Sequence, residues 1–178
     1  MSITPVPAPP RPRSKAPDLS VPLAEGGTWS LTDQNSPRNF TMIVFYRGLH
    51  CPACRGQLSR LESRVDELME MGVHPVAVSA DSRQRAERAQ SEWGLRKVPV
   101  GYGLRVSAMR EWGLFVSAAA NEHEPQHFSE PGLFLVKPDQ ELYYAAITNM
   151  PFGRPPLDEL IEGMNFVISN AYPARGDV

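Results

Sequence analysis

Between residues 40 and 79 the chain sets out a strand, a pair of cysteines, a helix and a second strand in unbroken succession, an order that predicts a βαβ unit. The run Phe40-Thr-Met-Ile-Val-Phe-Tyr46 is β-branched or aromatic on both faces, as in a strand buried inside a sheet. After Cys51, the residues Leu58, Leu61, Val65, Leu68 and Met69 recur at helical spacing, and Gly72 is placed to end one amphipathic helix. Val73-His-Pro-Val-Ala-Val-Ser79 predicts the next strand, which returns parallel to the first through a right-handed crossover.

The flanking sequence extends this unit into an α/β domain. Seven prolines fall within the first 22 residues, so residues 1–15 are expected to form an extended or disordered arm. Gly26-Gly27, between Val21-Pro-Leu23 and Thr28-Trp-Ser-Leu31, predicts a small hairpin with Trp29 and Leu31 on one face. Asp81 or Ser82 can cap a helix over 83–93, whose alternating charges suit a solvated face. Short elements follow near Val98-Pro-Val100 and from Leu104 to Trp112, then a polar loop over 118–131. Gly132 to Lys137 and Leu142 to Ile147 predict an antiparallel hairpin, and Leu157 to Ile168 a closing helix. One domain over 16–170 with a tail over 171–178 accounts for the length.

Composition narrows the function classes. With 178 residues, 42% of them hydrophobic, the chain can build a core without disulfide staples or a structural metal. Eighteen Lys and Arg against twenty Asp and Glu give no basic field for nucleic acid or an anionic membrane, so neither is an expected partner. No stretch approaches the ~20 apolar residues of a membrane span, and the N-terminus lacks a secretory signal pattern, so a cytoplasmic location is expected. No phosphate loop or nucleotide fingerprint appears, and no cofactor is expected.

The two cysteines, Cys51-Pro-Ala-Cys54, lie between the first core strand and the first turn of the following helix. Unpaired amide donors there carry about half an elementary charge and favour a thiolate. Arg47, His50 and Arg55 lie within a few residues and would act in the same sense. Positions i and i+3 of one turn bring Cα atoms to roughly 5 Å, within reach of a disulfide, and Pro52 stiffens the turn. The pair is therefore suited to dithiol–disulfide cycling. A rival from the binding class is a zinc module in which histidines from among His50, His74, His123 and His127 complete a Cys2His2 site. Two inert buried thiols are a third reading.

The decapeptide Phe45-Tyr-Arg-Gly-Leu-His-Cys-Pro-Ala-Cys54 resembles the active-site signature of redoxins of the AhpC/TSA, peroxiredoxin-like family. Ala16-Pro-Asp-Leu19, the Gly26-Gly27 hairpin, Val78-Ser-Ala-Asp81 through Trp93 and Gly132-Leu-Phe-Leu-Val136 are similar to further parts of that family, over roughly residues 16–147. The resemblance implies a thioredoxin-like three-layer sandwich, a central mixed sheet flanked by helices, and thiol-dependent antioxidant chemistry. Aligned on Phe45-Tyr46, the family's early proline is Arg47, its threonine is Cys51, its peroxidatic cysteine is Cys54, and its arginine before the later strand is Pro131. In that reading Cys54 is peroxidatic and Cys51 resolves, with activity weakened unless Arg47 or Arg55 replaces the missing donors.

Likeness to thioredoxins implies the assignment adopted as the expected function, reduction of a disulfide or oxidised thiol in which Cys51 attacks and Cys54 resolves, with the peroxidase as its alternative. Pro131 then corresponds to a cis-proline that frees the Glu130 backbone to pair with substrate, the alternative being an ordinary trans turn proline. His50 stands where thioredoxins often carry Trp and either tunes the thiolate or faces solvent. The partners implied are a disulfide or peroxide substrate and a cellular dithiol reductant. The segment Phe152-Gly-Arg-Pro-Pro156 is a candidate substrate groove or homodimer contact, or simply a proline-led helix start.

Overall fold

The computed structural model describes residues 8–33 and 37–178, so part of the proline-rich arm lies outside the described residues. A five-stranded mixed sheet organises the chain. Its centre is β3 (Phe40–Phe45), in which every residue is buried. β4 (Val73–Val78) pairs parallel to β3, and β5 (Val100–Gly101) pairs parallel to β4. On the other side β8 (Gly132–Val136) is antiparallel to β3, and β9 (Leu142–Ile147) is antiparallel to β8. A hairpin of β1 (Ser20–Pro22) and β2 (Thr28–Ser30) stands outside this sheet, with Trp29 and Leu31 buried as expected.

The period of two along β3 divides the interior. Phe40, Met42, Val44 and Tyr46 pack with Leu58, Leu61, Leu68, Ala86, Ala89, Ile161 and Met164. Ile43 and Phe45 pack on the opposite face with Trp29, Met109, Trp112 and Phe134. The first face is covered by α1 (Pro52–Ser63), α2 (Val65–Glu70), α3 (Arg83–Glu92) and α5 (Leu157–Asn170). The second is covered by α4 (Val106–Glu111) and the N-terminal hairpin. Helices on one side, sheet, and helix with hairpin on the other make the predicted three-layer α/β sandwich. Residues 13–16 run beside β9, with Arg13 N–H donating to Leu142 O and Ala16 N–H to Gln140 O.

Three expectations need correction. The single helix after Cys51 is two, broken at Arg64, whose φ of −111° and ψ of 6° leave the helical region. Leu61, Val65 and Leu68 remain buried through the break, but Met69 falls out of phase and is 46% exposed. The predicted polar loop over 118–131 contains one strand of a ribbon, β6 (Val116–Ala118) against β7 (His127–Ser129), with Phe128 anchored in the interior. The Glu130–Pro131 bond is trans, as are all described peptide bonds. Glu130 N–H donates to Phe115 O at 2.8 Å, so that amide is committed within the fold rather than offered to a substrate.

Candidate active site

The cysteines are delivered by a tight turn where β3 leaves the sheet. Gly48 has φ of +132°, and a Cβ there would stand 2.8 Å from Asp81 Oδ1. Asp81, wholly buried, accepts from Leu49 N–H at 2.7 Å and from Arg85 Nε at 2.7 Å. Ser82, not Asp81, caps α3, its hydroxyl accepting from Arg85 N–H. Cys51 N–H donates to Gly48 O at 3.1 Å, which closes the turn and sets Cys51 as the N-cap of α1 with Pro52 following.

In that position the Cys51 sulfur accepts from Cys54 N–H at 3.3 Å. Cys54 Sγ lies deeper and accepts from Arg47 N–H at 3.4 Å. Both cysteines are free thiols, Cys51 1% and Cys54 0% exposed. The Cys54 thiol, donating to the Cys51 sulfur, is the main cause that brings the Cys51 pKa down to about 6. Burial opposes it, while the Cys54 amide, Arg154 and Arg47 add to the lowering. Cys54 moves the other way, pushed up first by burial and then by its neighbour's sulfur. The two sulfurs titrate as a coupled pair, in which the shifts favour loss of the first proton from Cys51.

Arg154 joins the two sulfurs to the far end of the chain. It comes from the segment between β9 and α5, and its Nη2 lies 2.9 Å from Cys54 Sγ and 3.8 Å from Cys51 Sγ. Nε donates to Pro151 O at 2.6 Å and Nη1 to Gln57 Oε1 of α1. The segment was legible as Phe152-Gly-Arg-Pro-Pro156, but no spacing links it to cysteines a hundred positions earlier. An open hollow of about 250 Å³, lined by Ala53, Gly56, Gln57, Arg60, Arg154 and Leu157, lies beside it.

The other predicted residues are placed as follows. Arg47 reaches the site through its backbone and charge, and its Nε pairs with Glu130 Oε2 at 3.0 Å while its Cζ lies 5.0 Å above the Phe128 ring. His50 does not face solvent: its side chain is 6% exposed, 3.9 Å from Glu124 and edge-on to Phe128. Burial first, then Arg47, lowers its pKa, so the imidazole is neutral at pH 7. Arg55 is exposed on α1, with no side-chain partner among the described residues. Pro131 precedes β8, and its carbonyl accepts from Thr148 N–H at 3.1 Å. Glu130 and Asp81, both buried, hold the site's cations and turn; the sequence offered Glu130 only for its backbone and Asp81 only as a helix cap. His123 is 78% exposed in its side chain, and among the described residues no three His, Cys, Asp or Glu side chains cluster as metal ligands.

Comparison with known proteins bears on the family and the fold. The chain is 26% identical over 157 residues to a thioredoxin peroxidase of Trypanosoma brucei rhodesiense, covering 83% of this chain and 75% of that one. It is 23% identical over 136 residues to the putative peroxiredoxin YkuU of Bacillus subtilis, covering 73% and 72%. A crystal structure of a peroxiredoxin-like protein from Aquifex aeolicus superposes with a TM-score of 0.74 at 15% identity, over 91% of this chain and 90% of that one, and shares the fold. The AhpC/TSA family model matches residues 12–145, well over half of the sequence and the whole of the cysteine turn, and the chain belongs to that family.

Proposed function

We propose that the chain reduces a small oxidant, a hydroperoxide, with Cys51 as the attacking thiolate and Cys54 as the resolving thiol. As a member of the AhpC/TSA family with a vicinal dithiol, it is a thiol-dependent oxidoreductase. The observation that carries the reading is two free, nearly unexposed sulfurs at the start of α1, with the Cys51 sulfur accepting the Cys54 amide at 3.3 Å, an arrangement that lowers the Cys51 pKa and raises that of Cys54. Burial at 1% admits a molecule of two or three heavy atoms far more readily than a protein disulfide. The committed Glu130 amide argues in the same direction, since an extended polypeptide would find no free donor there.

In the first step the Cys51 thiolate attacks a peroxide oxygen, the O–O bond breaks, and the leaving alkoxide or hydroxide takes a proton, giving Cys51 sulfenic acid and an alcohol or water. In the second, the Cys54 sulfur displaces that hydroxyl, whose departure with the Cys54 proton gives water and a Cys51–Cys54 disulfide. A cellular dithiol then returns two electrons and two protons, a requirement that suits the cytoplasm. The names of the two relatives, a thioredoxin peroxidase and a putative peroxiredoxin, favour peroxide. The same charge division also suits exchange with a small oxidised thiol, which is the second reading.

Single-turnover peroxide consumption by Cys51→Ser and Cys54→Ser proteins tests the assignment. Cys54→Ser is expected to complete one turnover and leave a trappable sulfenic acid, and Cys51→Ser to consume no peroxide. Turnover in Cys51→Ser and none in Cys54→Ser would reverse the roles. Reduction of a small mixed disulfide without peroxide consumption by the unaltered protein would select the second reading.

A further inference from the structure

At the end of the sheet away from the cysteines, the start of β3 meets the end of β8, where Thr41 pairs with Val136. Arg38 and Lys137 therefore come to one place from positions a hundred residues apart in the chain. The end of α5 lies over them and leaves an open hollow of about 390 Å³, the length of β3 away from the cysteine turn. We infer that this hollow is a binding site for a medium-chain carboxylate, an apolar tail with one anionic head. The inference is independent of the peroxide reading.

The lining divides by chemistry. Phe40, Val167, Ile168 and Tyr172 give it apolar walls, Arg38 and Lys137 give it charge, and no carboxylate is among the described residues that form it. Arg38 is fixed by a neutral group, its Nη2 donating to Glu70 O at 2.7 Å. Gly72 leaves room for it, since a Cβ there would stand 2.8 Å from Arg38 Cβ and 3.0 Å from Arg38 Nε. Lys137 shares its charge with Glu141 at 3.0 Å. Arg175 donates to Tyr172 Oη at 3.2 Å and adds a third cation beside that wall. The field in the hollow thus favours an anion.

The turn that ends α5 sets the shape. Ala171 is left-handed, with φ of +49°, and Tyr172 N–H donates back to Val167 O at 3.0 Å. Tyr143 Oη donates to Tyr172 O at 2.8 Å, which pins the turn to β9 and leaves Tyr172 41% exposed along the hollow. Pockets that hold small organic ligands span about 300–1000 Å³, and a hollow near the lower end suits a short chain. The walls take the tail out of water, and the head gains charge-assisted hydrogen bonds from Arg38 and Lys137. A cationic head on the same tail meets like charge instead.

Isothermal titration calorimetry of the full chain with octanoate and octylammonium, two ligands with one tail and opposite heads, tests the site. Octanoate is expected to bind one per chain with a Kd below about 1 mM, and octylammonium at least about tenfold more weakly. The double variant Arg38→Gln with Lys137→Gln is expected to weaken octanoate about tenfold without weakening octylammonium. Tyr172→Ser removes a wall but keeps the backbone contact with Tyr143, and is expected to weaken octanoate about fivefold. Near-ultraviolet circular dichroism checks each variant for native fold; should the double variant not fold, Lys137→Gln alone, expected to weaken octanoate about threefold, takes its place. Equal affinity for the two heads would show apolar adsorption only and overturn the inference. So would no binding at about 10 mM octanoate, or octanoate affinity unchanged by the charge variant or by Tyr172→Ser.

Discussion

Asp81 acts on the cysteines from across the sheet end. Its carboxylate is wholly buried, is balanced by Arg85, and holds the Leu49 amide in the turn that presents Cys51. Removing it as Asp81→Ala leaves a part-buried guanidinium and a buried N–H without their acceptor, a loss of about 2–4 kcal/mol that urea denaturation would read. Asp81→Asn, which keeps an acceptor for Leu49, is expected to lose less and to retain more peroxide turnover. The sequence offered Asp81 as a cap because Asp commonly caps helices, but Ser82 fills that role. Side-chain identity showed that an acid was present; only the tertiary turn showed which amide it served. The same limit applies to Arg47, whose proximity in sequence to Cys51 was plain while its neutralisation by Glu130, eighty-odd residues away, was not.

Elements were most legible where burial imposes a period. β3, β4, β8 and β9 were read correctly because apolar and β-branched residues leave no other use for those runs. The break between α1 and α2 was invisible because Leu61, Val65 and Leu68 keep the spacing of one helix across Arg64. Ion pairing of Arg64 with Glu67 and Asp158 accompanies the break, and those partners carry no periodic signal. The β6–β7 ribbon was missed because its strands are three residues each and only Phe128 is a large buried apolar residue. At this scale the Ser82 cap makes a direct prediction. Ser82→Ala removes the acceptor of the Arg85 amide and is expected to cost about 1 kcal/mol, read as a lowered denaturation midpoint with unchanged slope.

For the molecule as a whole, two apolar layers clamp β3, and the strand's C-terminal end is thereby a rigid platform for the sulfurs. That much follows from sequence: the order strand, cysteine pair, helix and strand, with apolar cover on both faces, leaves the pair at a helix N-terminus. What does not follow is the closure over it by Arg154 and the 124–130 segment, since contacts between distant segments have no local pattern. Closure turns a generic dithiol into one whose charge is confined to a single, covered sulfur.

The most direct measurement is alkylation of the reduced protein across pH, with the labelled cysteine identified by mass spectrometry. A lowered thiol pKa means that the reactive thiolate prevails above it and is lost below it. Cys51 is therefore expected to label first, at a rate that is level above pH 7, has its midpoint at about 6, and falls about tenfold per unit below that. Labelling of Cys54 first, or a Cys51 midpoint near the ordinary value of about 8.5, would contradict the division of charge on which the mechanism stands.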